Sequence, residues 1–147
     1  MREDLYRGKR IDNGEWIYWN RFGRLTDING EPIRVEINTS ALRPYAFYVN
    51  ELPLIDEETV GEYTGLTDKN GKKIFEGDIV KTWRNTIGKI EFGQYWDEEI
   101  EEDFYGYAWI GKDEYGESIT LSLNNCWNGH EVIGNIHDNP EFLEVMR

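Results

Sequence analysis

The chain has a single cysteine, Cys126. That excludes an internal disulfide framework and a multi-cysteine zinc site. It has two histidines, His130 and His137, at neither a His-x-His nor a His-x₃-His spacing, so they read as surface or turn residues rather than metal ligands. No apolar run approaches the roughly 18 residues of a membrane span, and the opening MREDLYRGKR lacks a signal-peptide core. The expectation is a soluble cytoplasmic protein without membrane contact. Helical periodicity is scarce too: no amphipathic pattern lasts the ten or so residues of a typical helix. Basic charge is short, with 16 Lys and Arg against 29 Asp and Glu, a net charge of −13. The deficit is uneven. Residues 1–50 carry eight basic and seven acidic side chains, residues 51–147 eight and 22. An acidic surface repels phosphate backbones, so direct nucleic-acid binding is not expected. It favours solubility and basic partners, and most of the charge reads as simple solvation.

Aromatic side chains are plentiful at 14%. They bury large areas each, which argues against whole-chain disorder and supplies a modest core at this length. The organising stretch is residues 61–81, GEYTGLTDKNGKKIFEGDIVK. It reads as strand, tight turn at Asp68-Lys69-Asn70-Gly71, short strand with Ile74 and Phe75, second turn at Glu76-Gly77-Asp78, and a further strand through Ile79 and Val80. Asn-Gly is a strong hairpin signal because both residues tolerate positive φ. Asp78 is placed to bond turn amides at the strand entry.

Before this stretch, residues 5–19 read as a β-hairpin turning at Asn13-Gly14. Trp16 and Tyr18 share one face and Ile17 and Trp19 the other, so both faces are expected to be covered. Asp27-Ile28-Asn29-Gly30 is another turn. Ile33, Val35 and Ile37 alternate as a half-buried strand. Pro44 and Pro53 with Tyr45, Phe47 and Tyr48 mark an ordered connection. Asp56 to Thr59 suggests one helical turn with acids at its N-terminus. The composition shift puts a domain division near residue 60: residues 1–60 as a β-rich segment, 61–147 as a second unit.

After it, alternation marks strands at Lys89–Gly93, Phe104–Ile110, Ser118–Leu123 and Glu131–Ile136. Asn139, Pro140 and Glu141 have the pattern of a helix start, with Asn139 as N-cap and Phe142, Leu143 and Met146 docking the helix. At least five short, closely spaced strands imply a small barrel or sandwich.

No catalytic constellation stands out. Cys126 with His130 nearby has the components of a nucleophile, but a half-buried free thiol is the commoner meaning. Asp68–Gly71 lacks the glycine position and distal glutamate of a calcium loop. The acids of residues 97–103 fit a cation site, a basic partner, a nucleic-acid mimic or, most simply, a solvated loop that limits aggregation. The most informative feature is the aromatic alternation Tyr105, Tyr107 and Trp109, with Trp83, Tyr95 and Trp96 as candidate neighbours. These six are the candidate partner-binding residues. Their competing meaning is barrel core or an interface between copies of the chain.

Residues 63–80, Tyr-Thr-Gly-Leu-Thr-Asp-Lys-Asn-Gly-Lys-Lys-Ile-Phe-Glu-Gly-Asp-Ile-Val, are similar to the signature of the YopX family of phage and prophage proteins. Glu131-Val132-Ile133-Gly134-Asn135-Ile136 followed by Asn139-Pro140-Glu141-Phe142-Leu143 resembles that family's C-terminal motif. Tyr6-Arg7-Gly8 through Trp16-Ile17-Tyr18 sits where the family has a weaker hairpin motif, departing from it with Lys9 in place of an aromatic residue. The resemblance covers nearly the whole chain. It implies a mainly β protein whose C-terminal part is a small SH3-like β-barrel, with few short helices, in a bacterial host. It brings no activity, cofactor or catalytic residue. The expected function is therefore a non-enzymatic binding or adaptor protein for a host or phage protein, with no cofactor and no metal. An acidic mimic of nucleic acid and a self-assembling structural protein are the alternatives.

Overall fold

The computed structural model describes residues 4–33, 54–125 and 129–146. The chain is mainly β, and its described residues form ten strands in two five-stranded antiparallel sheets. Among the described residues no closed barrel forms. The first sheet has the order β3-β2-β1-β4-β5, from β1 (Leu5–Arg10), β2 (Trp16–Asn20), β3 (Leu25–Thr26), β4 (Ile55–Thr67) and β5 (Lys73–Phe75). The second has the order β10-β6-β7-β8-β9, from β6 (Asp78–Lys81), β7 (Ile87–Asp97), β8 (Glu102–Lys112), β9 (Ser118–Ser122) and β10 (Glu131–Asn135). The only α-helix among the described residues, α1 (Glu141–Val145), is a little over one turn, with Phe142 and Leu143 half-buried. Among the described residues no helix is long and apolar enough to cross a membrane. The chain divides into two compact units, Met1–Gly65 and Leu66–Arg147. The strand expected at Ile33–Ile37, the connection through Pro53, and Cys126 and Trp127 lie outside the described residues, apart from Ile33 itself.

In the first unit β1 and β2 form the expected hairpin, with Arg7 opposite Tyr18. Leu5 and Ile17 are buried, and Tyr6 stacks on Trp19 at 6.3 Å between ring centroids. Asp27 closes the next turn by accepting the amides of Asn29 and Glu31. The helical turn expected at Asp56–Thr59 is not formed. Those residues lie in β4 and make a bulge, because Arg7 faces Gly61 while Lys9 faces Asp56. Thr59 Oγ1 donates to the Asp56 carbonyl at 2.6 Å and accepts the Lys9 amide at 2.8 Å. Local side-chain bonds of this kind compete with helix formation for the same backbone groups. Gly65 lies within β4, with a φ of 89° that favours glycine.

In the second unit Asp68 organises the first turn. Its Oδ1 accepts the amides of Asn70 and Lys72, and its Oδ2 accepts the amide of Val132, 64 positions away. Lys69 N donates to the His130 carbonyl at 2.8 Å. The turn is thus stapled to the start of β10. Asp78, 1% exposed, accepts the Phe75 amide as the sequence led us to expect. Asn139 does not cap α1. Its Oδ1 accepts the Asn135 amide at 3.2 Å, and Pro140 takes the N-cap position. This is possible because residue 134 is glycine: a Cβ there would lie 2.4 Å from Asn139 Oδ1.

Buried Ile74, Val80, Ile90, Trp109 and Leu123 make the core. The Trp109 indole starts on β8, lies over β7 and donates its N–H to the Val80 carbonyl on β6 at 3.0 Å. A Cβ on Gly88 would meet that ring at 2.3 Å. Gly88 pairs with Gly111 in the β7–β8 ladder, which clears the space. Beyond the core the β7–β8 hairpin continues to an acidic tip. Asp97, fully buried, accepts the amides of Glu99, Ile100 and Ser122, and Glu98 N donates to the Thr120 carbonyl. The end of β7 is thereby tied to β9, although β8 lies between them in the ladder.

Two substitutions test this construction. Gly88→Ala should cost about 1–3 kcal/mol through overpacking against Trp109, read as a lowered urea midpoint. Asp97→Asn keeps the shape but turns an amide N–H towards an existing donor, at a cost of about 1–3 kcal/mol. Hydrogen exchange at the Ser122 amide should accelerate first. An unchanged midpoint and Ser122 protection would remove Asp97 from its structural role.

Candidate functional site

The alternation in β8 places Tyr105, Tyr107 and Trp109 on one face. The ladder adds their partners from β7, Gln94, Phe92 and Ile90 in the same order. Burial changes along this face. Ile90 and Trp109 are fully inside, Tyr107 is half-buried, Phe92 is 43% exposed and Tyr105 76%. Phe92 makes edge-on contacts to both tyrosines, at 5.0 Å to Tyr105 and 4.9 Å to Tyr107. Such contacts pre-order exposed rings at low entropic cost. Trp96, half exposed, follows on the same face by alternation.

Three of the six candidate residues belong elsewhere: Trp109, Tyr95 and Trp83. Trp109 is core, at 1% exposure and with its indole N–H satisfied inside the sheet. For that residue the competing meaning holds. Tyr95 points to the opposite face, where it lies against Phe104 at 6.0 Å and donates its hydroxyl to Glu91 at 3.1 Å. Burial, then the Glu91 carboxylate, push its phenol above the usual tyrosine range, so it remains a donor at neutral pH. Phe92, which joins the exposed rings, was not singled out from sequence. Its signal was the register opposite Tyr107, which needs the β7–β8 pairing to be known.

Trp83 stands apart from this face. It follows β6 in the Thr82–Thr86 turn and is 60% exposed, with the Arg84 guanidinium 4.6 Å from its ring centroid. It forms one wall of a cleft of about 70 Å³ whose apolar surface comes from Trp109, Ile119 and Leu121. Glu99, Asp113 and Glu114 line the cleft as well; Asp113 Oδ1 accepts the amides of Tyr115 and Glu117, and Arg84 pairs with Glu114 at 3.8 Å. His130, buried, and the bonded hydroxyls of Thr82 and Thr86 complete it. Among the described residues no three His, Cys, Asp or Glu side chains converge on a metal-sized site.

The architecture is therefore that of a mainly β protein of two compact units, carrying an exposed aromatic hairpin face and an acid-rimmed cleft. A family model described as YopX protein matches residues 5–144, and the chain belongs to the YopX family. Among solved structures it is similar to the crystal structure of protein EF1440 from Enterococcus faecalis, at 23% identity and a TM-score of 0.42, covering 97% of this chain and 99% of that one. No curated protein matches it.

The graded face gives a contrast in energetics. Trp109→Ala should cost about 3–5 kcal/mol, whereas Tyr105→Ala should cost about 1 kcal/mol or less. Urea unfolding of the two variants checks this. A large loss for Tyr105→Ala would make that ring structural and end its candidacy as an anchor.

Proposed function

We propose that this YopX-family chain is a non-enzymatic binding protein, an adaptor that recognises a basic protein partner in the cytoplasm of a phage-carrying bacterium. The observation that carries this reading is the overrun of the aromatic face beyond the core: Phe92, Trp96 and Tyr105 are 43%, 50% and 76% exposed. Rigid aromatic rings in one row are the side chains that most often dominate binding energy. The charge of −13 steers a basic surface towards them and raises the encounter rate. We read the second unit as SH3-like. The support is the pair of bonds from the β7 tip to β9, Glu98 N to Thr120 O and Ser122 N to Asp97 Oδ2, which bend the hairpin back over its own sheet. Folds of that kind commonly present aromatic grooves to extended peptides.

The test is affinity capture from host lysate at low and high salt, with the parent chain and a Trp96→Ser/Tyr105→Ser variant. One partner retained by the parent, weakened by salt and lost with the variant is the expected result. Equal capture by both chains, or no specific partner at either salt, would overturn the proposal.

A further inference from the structure

We infer that the cleft beside Trp83 is a receptor for one arginine side chain of a partner protein. The inference deepens the binding reading by naming what one site accepts, but it stands on different residues from the hairpin face. Three features of the cleft converge on a planar cation. The first is size: about 70 Å³ has room for a handful of waters or one long side chain, and not for a nucleotide or a folded element. The second is lining. Trp83 offers an exposed indole at the mouth, and Ile119 and Leu121 offer apolar surface to the methylenes of an arginine stem. The third is charge: three carboxylates, Glu99, Asp113 and Glu114, stand against one cation, Arg84.

Arg84 also shows what this mouth binds. Its guanidinium lies 4.6 Å from the Trp83 ring centroid and 3.8 Å from a Glu114 oxygen. An indole face and a carboxylate therefore already hold a guanidinium here, supplied by the chain itself. Indole is the best of the aromatic faces for a cation, and the guanidinium stacks on it as well. That pair leaves Glu99 as a further acid for an incoming cation, whereas Asp113 Oδ1 already accepts the amides of Tyr115 and Glu117 and adds its charge. A neutral group would gain less from these acids than a cation does, and an anion would be repelled by them. Arg84 is then a competitor of the partner's arginine for Trp83 and Glu114, not part of the receptor.

The experiment is an NMR titration of the full chain with acetyl-Gly-Arg-Gly-amide and with its citrulline counterpart, which has the same shape and no charge. The arginine peptide should shift the Trp83 indole N–H and the Thr86 amide saturably, in the millimolar range expected for a single side chain. The citrulline peptide should bind about tenfold more weakly, the size of a desolvated cation–π contact. Glu99→Gln/Glu114→Gln, both exposed positions, should weaken the arginine peptide about tenfold. Glu57→Gln/Glu58→Gln makes the same change in net charge in the other unit and should alter binding by less than about twofold. Arg84→Ala should tighten binding, because it removes a like charge and frees the indole. Equal binding of the two peptides, equal effects of the two glutamate pairs, weaker binding by Arg84→Ala, or no saturable shift would each overturn the inference. A Trp96→Ser/Tyr105→Ser chain should titrate like the parent. Loss of partner capture with an intact titration therefore points to the hairpin face, and the reverse to the cleft.

Discussion

The position of the Trp109 indole constrains most of the second unit. The ring is rooted on β8, lies across β7 and bonds to β6, so one side chain ties three neighbouring strands through packing and a buried hydrogen bond. Space for it exists only because Gly88 carries no Cβ. Gly111, opposite Gly88 in the ladder, is held just as tightly, since a Cβ there would lie 2.3 Å from the Ile87 carbonyl oxygen. A large ring and two glycines are one device: the glycines let the ring lie flat, and the ring fills what they leave open. Val80, Ile90 and Leu123 pack around it, and the partly buried Leu121 and Val132 close the periphery.

Carboxylates do the work that a larger core does elsewhere. Asp68, Asp78 and Asp97 are buried, and each accepts backbone amides that a turn or strand entry would otherwise leave without a partner. Hydrogen bonds to a charged acceptor are stronger than neutral ones. The cost of burying these carboxylates is offset by three amide donors each at Asp68 and Asp97. Asp68 joins a turn to a strand start 64 positions later, and Asp97 joins a hairpin tip to a strand 25 positions later. The first of these links joins the segment around residues 63–80 to that around residues 131–143. One supplies the clasp and the other the amide that it holds.

Much of this architecture was legible in the sequence where the signal was local. Asn-Gly and Asp-x-Asn-Gly turns, and the alternation in β1, β2, β8 and β9, depend on residues within a few positions of one another, and they fold as read. The misreadings share a cause. Asp56–Thr59 has the composition of a helix start, but Thr59 is recruited by Lys9 across the sheet. Asn139 has the position of a cap, but its amide is recruited by Asn135 next to Gly134. In both cases a partner outside the local window took the side chain. Asp97 looked like one acid in a solvated run, and only the approach of Ser122 makes it core. The candidate surface was legible by half. Alternation alone put Tyr105 and Tyr107 together, but it could not tell where along β8 the core ends, nor that Phe92 sits opposite.

That endpoint is what separates structure from surface in this chain. The same face of one hairpin is filled by Ile90 and Trp109 at one end and by Phe92, Tyr105 and Trp96 at the other, where Gln94 and Asp103 are their polar neighbours. Apolar residues needed only for the fold would stop where the covering strands stop. Here each of three further pairs, Phe92–Tyr107, Gln94–Tyr105 and Trp96–Asp103, still carries an aromatic ring before the acids of the hairpin tip begin. Exposed rings next to excess acid are unfavourable for a chain that touches only water, since the rings promote association and the acids repel one another. In the binding role proposed for this chain, the two together suit a surface that is approached by positive charge and then covered by apolar contact. The cleft beside Trp83 repeats that pairing of indole and carboxylate on a smaller scale, with the chain's own Arg84 resting in its mouth.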